Sequence, residues 1–150
     1  MKKYIKYLIA VLLLIAPAMM QAQENLRIGD VFSYYGKRHG STMVQLSEDV
    51  IRTYDMTLYK SLSFRPESFG NKSLDWVIDC IDQDKRKAKK IKETMLDGSL
   101  KSGYYQLPQV KSGINRFILF KIGDKRKATL IYIEGGLSSA ELVDMLLSKK

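Results

Sequence analysis

Apolar and polar positions follow two different periods along this chain, and the switches between them mark its elements. Leu26, Ile28, Val31, Phe32 and Tyr35 recur at helical spacing and stop at Gly36, which predicts a short amphipathic helix. Residues 42–46 alternate and are β-branched, as a strand would be. Ser47 is placed to cap a short helix with Glu48 and Asp49 in its first turn, where carboxylates complement the helix dipole. Residues 57–64 read as a second strand, with Leu58, Leu62 and Phe64 on one face. Residues 65–72, with Pro66 and Gly70, are a loop.

Ser73 is placed to cap the longest helical pattern. Leu74, Val77, Ile78, Ile81, Ala88, Ile91 and Met95 form a nearly helical stripe, interrupted at Asp84 and Lys85. Asp97-Gly98 can end that helix with Gly98 in a left-handed conformation. The same pair can instead turn a hairpin, with residues 91–96 as a strand. The stripe tips the reading toward the helix. Residues 102–107, 116–122 and 128–134 read as three strands. The turn at residues 123–126 is so short that the last two must pair antiparallel. Ser138 begins a final helix, with Glu141 completing a capping box and Leu137 stapled to Leu142. Leu142, Val143, Leu146 and Leu147 are its expected buried face. The pattern predicts an α+β fold with about five largely antiparallel strands, helices packed on one face, and a capped C-terminal helix.

Composition places the chain among ordinary globular proteins, with 45% hydrophobic and 27% charged residues in 150. Its first residues are different. Lys2, Lys3 and Lys6 precede an uncharged apolar run over residues 7–16, then Pro17 and a short polar region. That order is the pattern of a cleavable signal peptide over residues 1–22, with the cut between Ala22 and Gln23. Met20 is bulky where a small residue is usual, and the alternative is an uncleaved N-terminal anchor. The apolar run is too short to span a bilayer comfortably. Residues 23–150 are then expected to be one exported domain that is not an integral membrane protein. Removing the three lysines of the leader from the formal charge of +9 leaves +6 on the mature chain. That surplus favours an envelope protein, an acidic glycan or an anionic lipid as partner, and export sets nucleic acid aside. Cys80 is the one cysteine, so no internal disulfide forms and the fold rests on its core.

Several stretches resemble a known family. They are Phe32-Ser33-Tyr34-Tyr35-Gly36-Lys37, residues 40–47, Tyr59-Lys60-Ser61-Leu62, residues 103–108, residues 116–120, and residues 130–135 ahead of a helix. Together they resemble small exported Bacteroidota proteins grouped as a domain of unknown function. The resemblance covers nearly all of the mature chain and implies a periplasmic or outer-surface location in a Gram-negative envelope. It brings no catalytic or binding residues with it.

The residues that stand out each have a functional and a plainer reading. The run at residues 85–92 could present Lys85, Arg86 and Lys89 as an anion-binding face. It could equally be the solvated side of a helix, with Asp82–Arg86 and Asp84–Lys87 pairs worth about 0.2–0.5 kcal/mol each. Asp75, Asp79, Asp82 and Asp84 have helical spacing and lack the bend glycine of a calcium loop. His39 sits in a basic turn without the further His or Cys ligands that a metal site needs. Cys80 reads as a buried thiol, or as the source of an intermolecular disulfide. Gly135-Gly136 could bring amides to an anion, or simply turn a strand into a helix. Tyr104, Tyr105 and Tyr132 lie on adjacent strands, so some of them face an open sheet surface that could hold glycan or peptide. No cofactor motif, metal set or catalytic constellation is present in the sequence. The leading expectation is a non-catalytic binding or accessory module. The alternatives are an enzyme using carboxylates or tyrosines scattered in sequence, and a structural or assembly protein.

Overall fold

In the computed structural model, which describes residues 26–147, the last two strands carry apolar residues on both parities; one parity is buried along most of its length, and the other is buried at Phe117 and Ile133 but only partly at Leu119 and Ile131. The elements run α1 (Ile28–Tyr35), β1 (Ser41–Leu46), α2 (Glu48–Ile51), β2 (Met56–Phe64), α3 (Ser73–Asp84), β3 (Lys90–Leu96), β4 (Ser99–Leu107), β5 (Asn115–Ile122), β6 (Ala128–Gly135) and α4 (Ser139–Leu147). All strand pairs are antiparallel, in one sheet of order β1-β2-β6-β5-β4-β3. The expected α+β class holds, with six strands rather than five. The leader and the cut between Ala22 and Gln23 lie outside the described residues.

Strands buried on two faces belong in the middle of a sheet, which is where β5 and β6 sit. On one face α1 and α3 lay Val31, Phe32, Tyr35, Val77, Cys80 and Ile81 over Leu62, Phe64, Tyr105, Ile118, Leu130 and Tyr132. On the other, Phe117 and Ile133 meet Ile51, Met56, Leu137 and Leu142. The helices expected on one face are therefore α1 and α3, while α4 covers part of the opposite face. A bulge between Met56 and Leu58 turns Met56 toward that second core.

The sixth strand, β3, is the principal departure from the sequence reading. Ser73 is the first residue of its helix rather than the cap, the helix ends at Asp84, a single 3₁₀ turn covers Lys85–Lys87, and residues 90–96 pair with β4. Asp97-Gly98 thus turns a hairpin, with both residues at positive φ. The helical stripe misled because Ile91 and Met95 do not enter the core; they are 51% and 56% exposed. Backbone pairing outweighs them, since without β3 the ladder groups of β4 would form an open edge.

One polar cluster secures this switch. Glu93 Oε2 accepts hydrogen bonds from Lys85 Nζ at 2.8 Å and from the Tyr105 hydroxyl at 2.7 Å. Lys85 also meets Asp82 at 3.0 Å. Gly103 stands opposite Glu93 in the register, and a Cβ there would collide with the Tyr105 ring. The missing side chain lets Tyr105 lie along the sheet and reach Glu93.

A second carboxylate joins the helices. The first amides of α1 have no partners within the helix. Asp84, at the end of α3, accepts the N–H groups of Arg27 at 2.7 Å and Ile28 at 2.8 Å. Burial pushes the Asp84 carboxyl above its ordinary 3.8, and the two amide bonds oppose that rise. Replacing Asp84 by alanine strands both amides, and the expected loss is about 1–3 kcal/mol of stability. Urea unfolding of the variant measures it, and an unchanged midpoint contradicts the clamp.

Candidate functional site

The C-terminal helix is fixed before anything else on its face. Ser138 Oγ accepts the Glu141 N–H at 3.1 Å, which is the N-cap bond expected from the sequence. Leu137 and Leu142 are buried together as the staple requires. Asn115 Nδ2 donates to the Leu137 carbonyl at 2.9 Å, and the Tyr104 hydroxyl lies 2.5 Å from Ser139 Oγ. These contacts bind the start of α4 to β4 and β5.

So short a helix cannot cover the sheet face. Six strands about 4.8 Å apart reach about 24 Å across, while a helix with side chains is about 10–12 Å wide. Val143 and Leu146, expected as part of the buried face of α4, are instead 40% and 45% exposed. They form one wall of a groove over the uncovered part of the sheet.

That groove consists of two adjoining hollows of about 560 and 340 Å³, which share Lys92, Tyr104, Leu119 and Leu146. The register places its floor on one face: Lys92 is opposite Tyr104, Tyr104 is opposite Leu119, and Leu119 is opposite Ile131. The same alternation puts Lys90 and Lys92 on that face from β3, and Lys121 from β5. The lining of the two hollows includes these three lysines and no carboxylate. Its chemistry is therefore an apolar floor with a cationic rim.

The residues singled out from the sequence are dispersed. Lys85, Arg86 and Lys89 do not share a helix face. Lys85 is engaged by Asp82 and Glu93, Arg86 is exposed in the 3₁₀ turn, and the backbone of Lys89 already donates to Gln106 at 2.7 Å. The expected Asp82–Arg86 pair is replaced by Asp82–Lys85, and Asp84 is occupied by α1 rather than by Lys87. Asp79 accepts from Gln83. His39 is exposed. Among the described residues no three His, Cys, Asp or Glu side chains gather as metal ligands would. Cys80 is fully buried, and burial pushes its thiol up to about 11. Such a thiol is poorly placed for a disulfide between molecules. A side chain at Gly136 would meet the carboxylate of Asp55, so an internal anion already lies beside the two glycines. Tyr105 and Tyr132 point into the α1–α3 core, where burial first, and then nearby carboxylates, hold their phenols protonated. Tyr104 alone of the three faces the groove. The lysines that line it, Lys90, Lys92 and Lys121, become visible in the sequence only once residues 90–96 are read with a period of two.

A family model matches residues 15–146. The chain belongs to the family of unknown function DUF6108. A search of curated proteins finds no match for this DUF6108 chain. Among solved structures it is similar to PA94, a protein of unknown function from Pseudomonas aeruginosa, at 12% identity. That similarity covers 75% of this chain and 78% of the other, with a TM-score of 0.36.

The cluster beneath the groove edge has a defined pH dependence. Glu93 is held below its ordinary 4.5, first by the Lys85 hydrogen bond and then by Tyr105. Lys85 is held above its ordinary 10.5, chiefly by Glu93. The Glu93 contribution is present above 4.5 and fades as pH falls through its lowered value. The Lys85 contribution is present below 10.5 and fades as pH rises through its raised value. Glu93→Gln should therefore cost up to about 1 kcal/mol at neutral pH, allowing for the partial exposure of the pair. Thermal melts across pH should show the gap to the parent closing in acid, whereas a gap independent of pH contradicts the pairing.

Proposed function

We propose that this chain is an exported, non-catalytic binding module of a Bacteroidota envelope, and that its groove takes an acidic amphipathic segment of a partner protein. The observation that carries the reading is the set of Lys90, Lys92 and Lys121 around an apolar floor that contains no carboxylate. These lysines are exposed and line the groove without a carboxylate among them, which favours a ligand that brings its own carboxylates. The floor at Leu119 and Ile131 and the wall at Val143 and Leu146 favour apolar anchors spaced along one side of that ligand. The groove is open along its length, which suits a segment of polypeptide better than a small molecule, since small-ligand pockets bury most of their ligand.

The leader supports export: a basic start, a short apolar run and a break at Pro17. Among the described residues no helix is long and apolar enough to cross a membrane. The periplasm or the outer surface is the proposed location, with the mature chain beginning at Gln23. Intact mass of the protein from the envelope fraction tests this, and a membrane-retained chain that keeps residues 1–22 contradicts it.

Binding is tested with a fluorescein-labelled helical peptide of glutamate and leucine, followed by anisotropy. Replacing Lys90, Lys92 and Lys121 together by alanine should weaken binding about tenfold or more and flatten its salt dependence. The Arg86→Ala, Lys89→Ala pair should leave affinity within about twofold. Loss in the second variant with none in the first overturns the groove as the site.

A further inference from the structure

We propose that an aromatic recess where α1 meets the start of α3, on the sheet face opposite the groove, is a separate binding site for an acidic sugar unit. The recess holds about 430 Å³ and is bounded by Tyr34, Tyr35, Phe69 and Trp76, with Asn71, Lys72 and Ser73 in its lining. Tyr35 is its floor, 1% exposed and stacked on Phe64 at 4.3 Å, so the base is rigid. Tyr34 is 45% exposed, so its ring stands open to solvent at the rim.

The ring geometry selects among ligands. Tyr34 meets Trp76 at 5.5 Å and 70°, and Tyr35 meets Phe69 at 4.9 Å and 78°. The walls stand edge to face, so they cannot clasp a flat aromatic ligand between parallel rings. A sugar ring needs one apolar wall and hydroxyl partners around it. Asn71 and Ser73 each offer both a donor and an acceptor. A quaternary ammonium is the usual guest of an aromatic cage, but Lys72 already lines this one. A second cation stands beside the lining rather than in it: the Arg38 guanidinium lies over the Tyr34 ring, 3.9 Å from its centroid. With no carboxylate in the lining, the charge complement is an anion. An inorganic anion would leave the aromatic walls without a purpose, whereas a uronic acid uses both the walls and the charges.

Trp76 is the one tryptophan in the chain, so intrinsic fluorescence reports on this recess directly. The probe is tri-galacturonic acid, titrated into the exported protein, with its methyl ester and a polyglutamate peptide as comparisons. The expected result is a saturable emission change with the acid form. It should weaken about tenfold or more in the Arg38→Gln, Lys72→Gln variant and in Tyr34→Ala, while the three groove-lysine replacements leave it unchanged. Arg38, Lys72 and Tyr34 are exposed, and circular dichroism checks that these variants stay folded. No saturable change at millimolar probe overturns the proposal. Equal binding of the methyl ester overturns the acidic specificity, and equal binding of polyglutamate reduces the site to nonspecific charge.

Discussion

Glu93 secures the switch that backbone pairing with β4 makes in residues 85–96. Its carboxylate draws in Lys85 from the turn after α3 and Tyr105 from β4. A helix continuing through Lys85 would have carried Glu93 away from both. With Lys85 and Tyr105 satisfied together, the chain leaves the helix, crosses to the sheet and runs back beside β4. Gly103 is part of the same constraint, because any side chain there would push the Tyr105 ring off its path. The pair is only partly shielded, so its contribution in energy is modest. Its influence is geometric: it ties the turn after α3 to β4 where the strand begins.

The groove follows from that choice. Once residues 90–96 are a strand, Lys90 and Lys92 point to the same face as Tyr104, and Lys121 joins them two strands away. On a helix the basic run would have been a solvated stripe without an apolar floor beside it. The groove also needs a helix that covers only part of the face. The bonds from Ser138, Asn115 and Tyr104 hold α4 at one side, and its length leaves Leu119 and Ile131 within reach of a partner. The two candidate sites draw on different parts of the molecule, since the aromatic recess is built on the α1–α3 side with Tyr35 and Phe64 in its base.

Much of this fold is legible in the sequence where local and tertiary signals agree. The final helix is an example: the Ser138 cap, the Leu137–Leu142 staple and the observed contacts all coincide. The strands at residues 42–46, 57–64, 102–107, 116–122 and 128–134 were legible for the same reason. Legibility fails where the deciding contacts are remote in sequence. The Lys85–Glu93 bond lies eight positions apart and depends on Tyr105 a further twelve on. The stripe at Ala88, Ile91 and Met95 pointed the other way, although two of those three residues stay exposed. The exposure of Val143 and Leu146 was equally hidden, because an amphipathic stripe does not reveal how wide a surface it has to cover. The basic residues were visible, yet their grouping was not, because period two and period 3.6 sort the same lysines into different sets.

The central claim is that the strand lysines and the sheet floor, rather than the turn before them, receive an acidic partner. Amide chemical-shift mapping of the labelled protein against the glutamate–leucine peptide tests it most directly. The account predicts perturbations at Lys90, Lys92, Tyr104, Leu119, Lys121 and Leu146. Perturbations confined to residues 85–89, or a spectrum unchanged at saturating peptide, would contradict it.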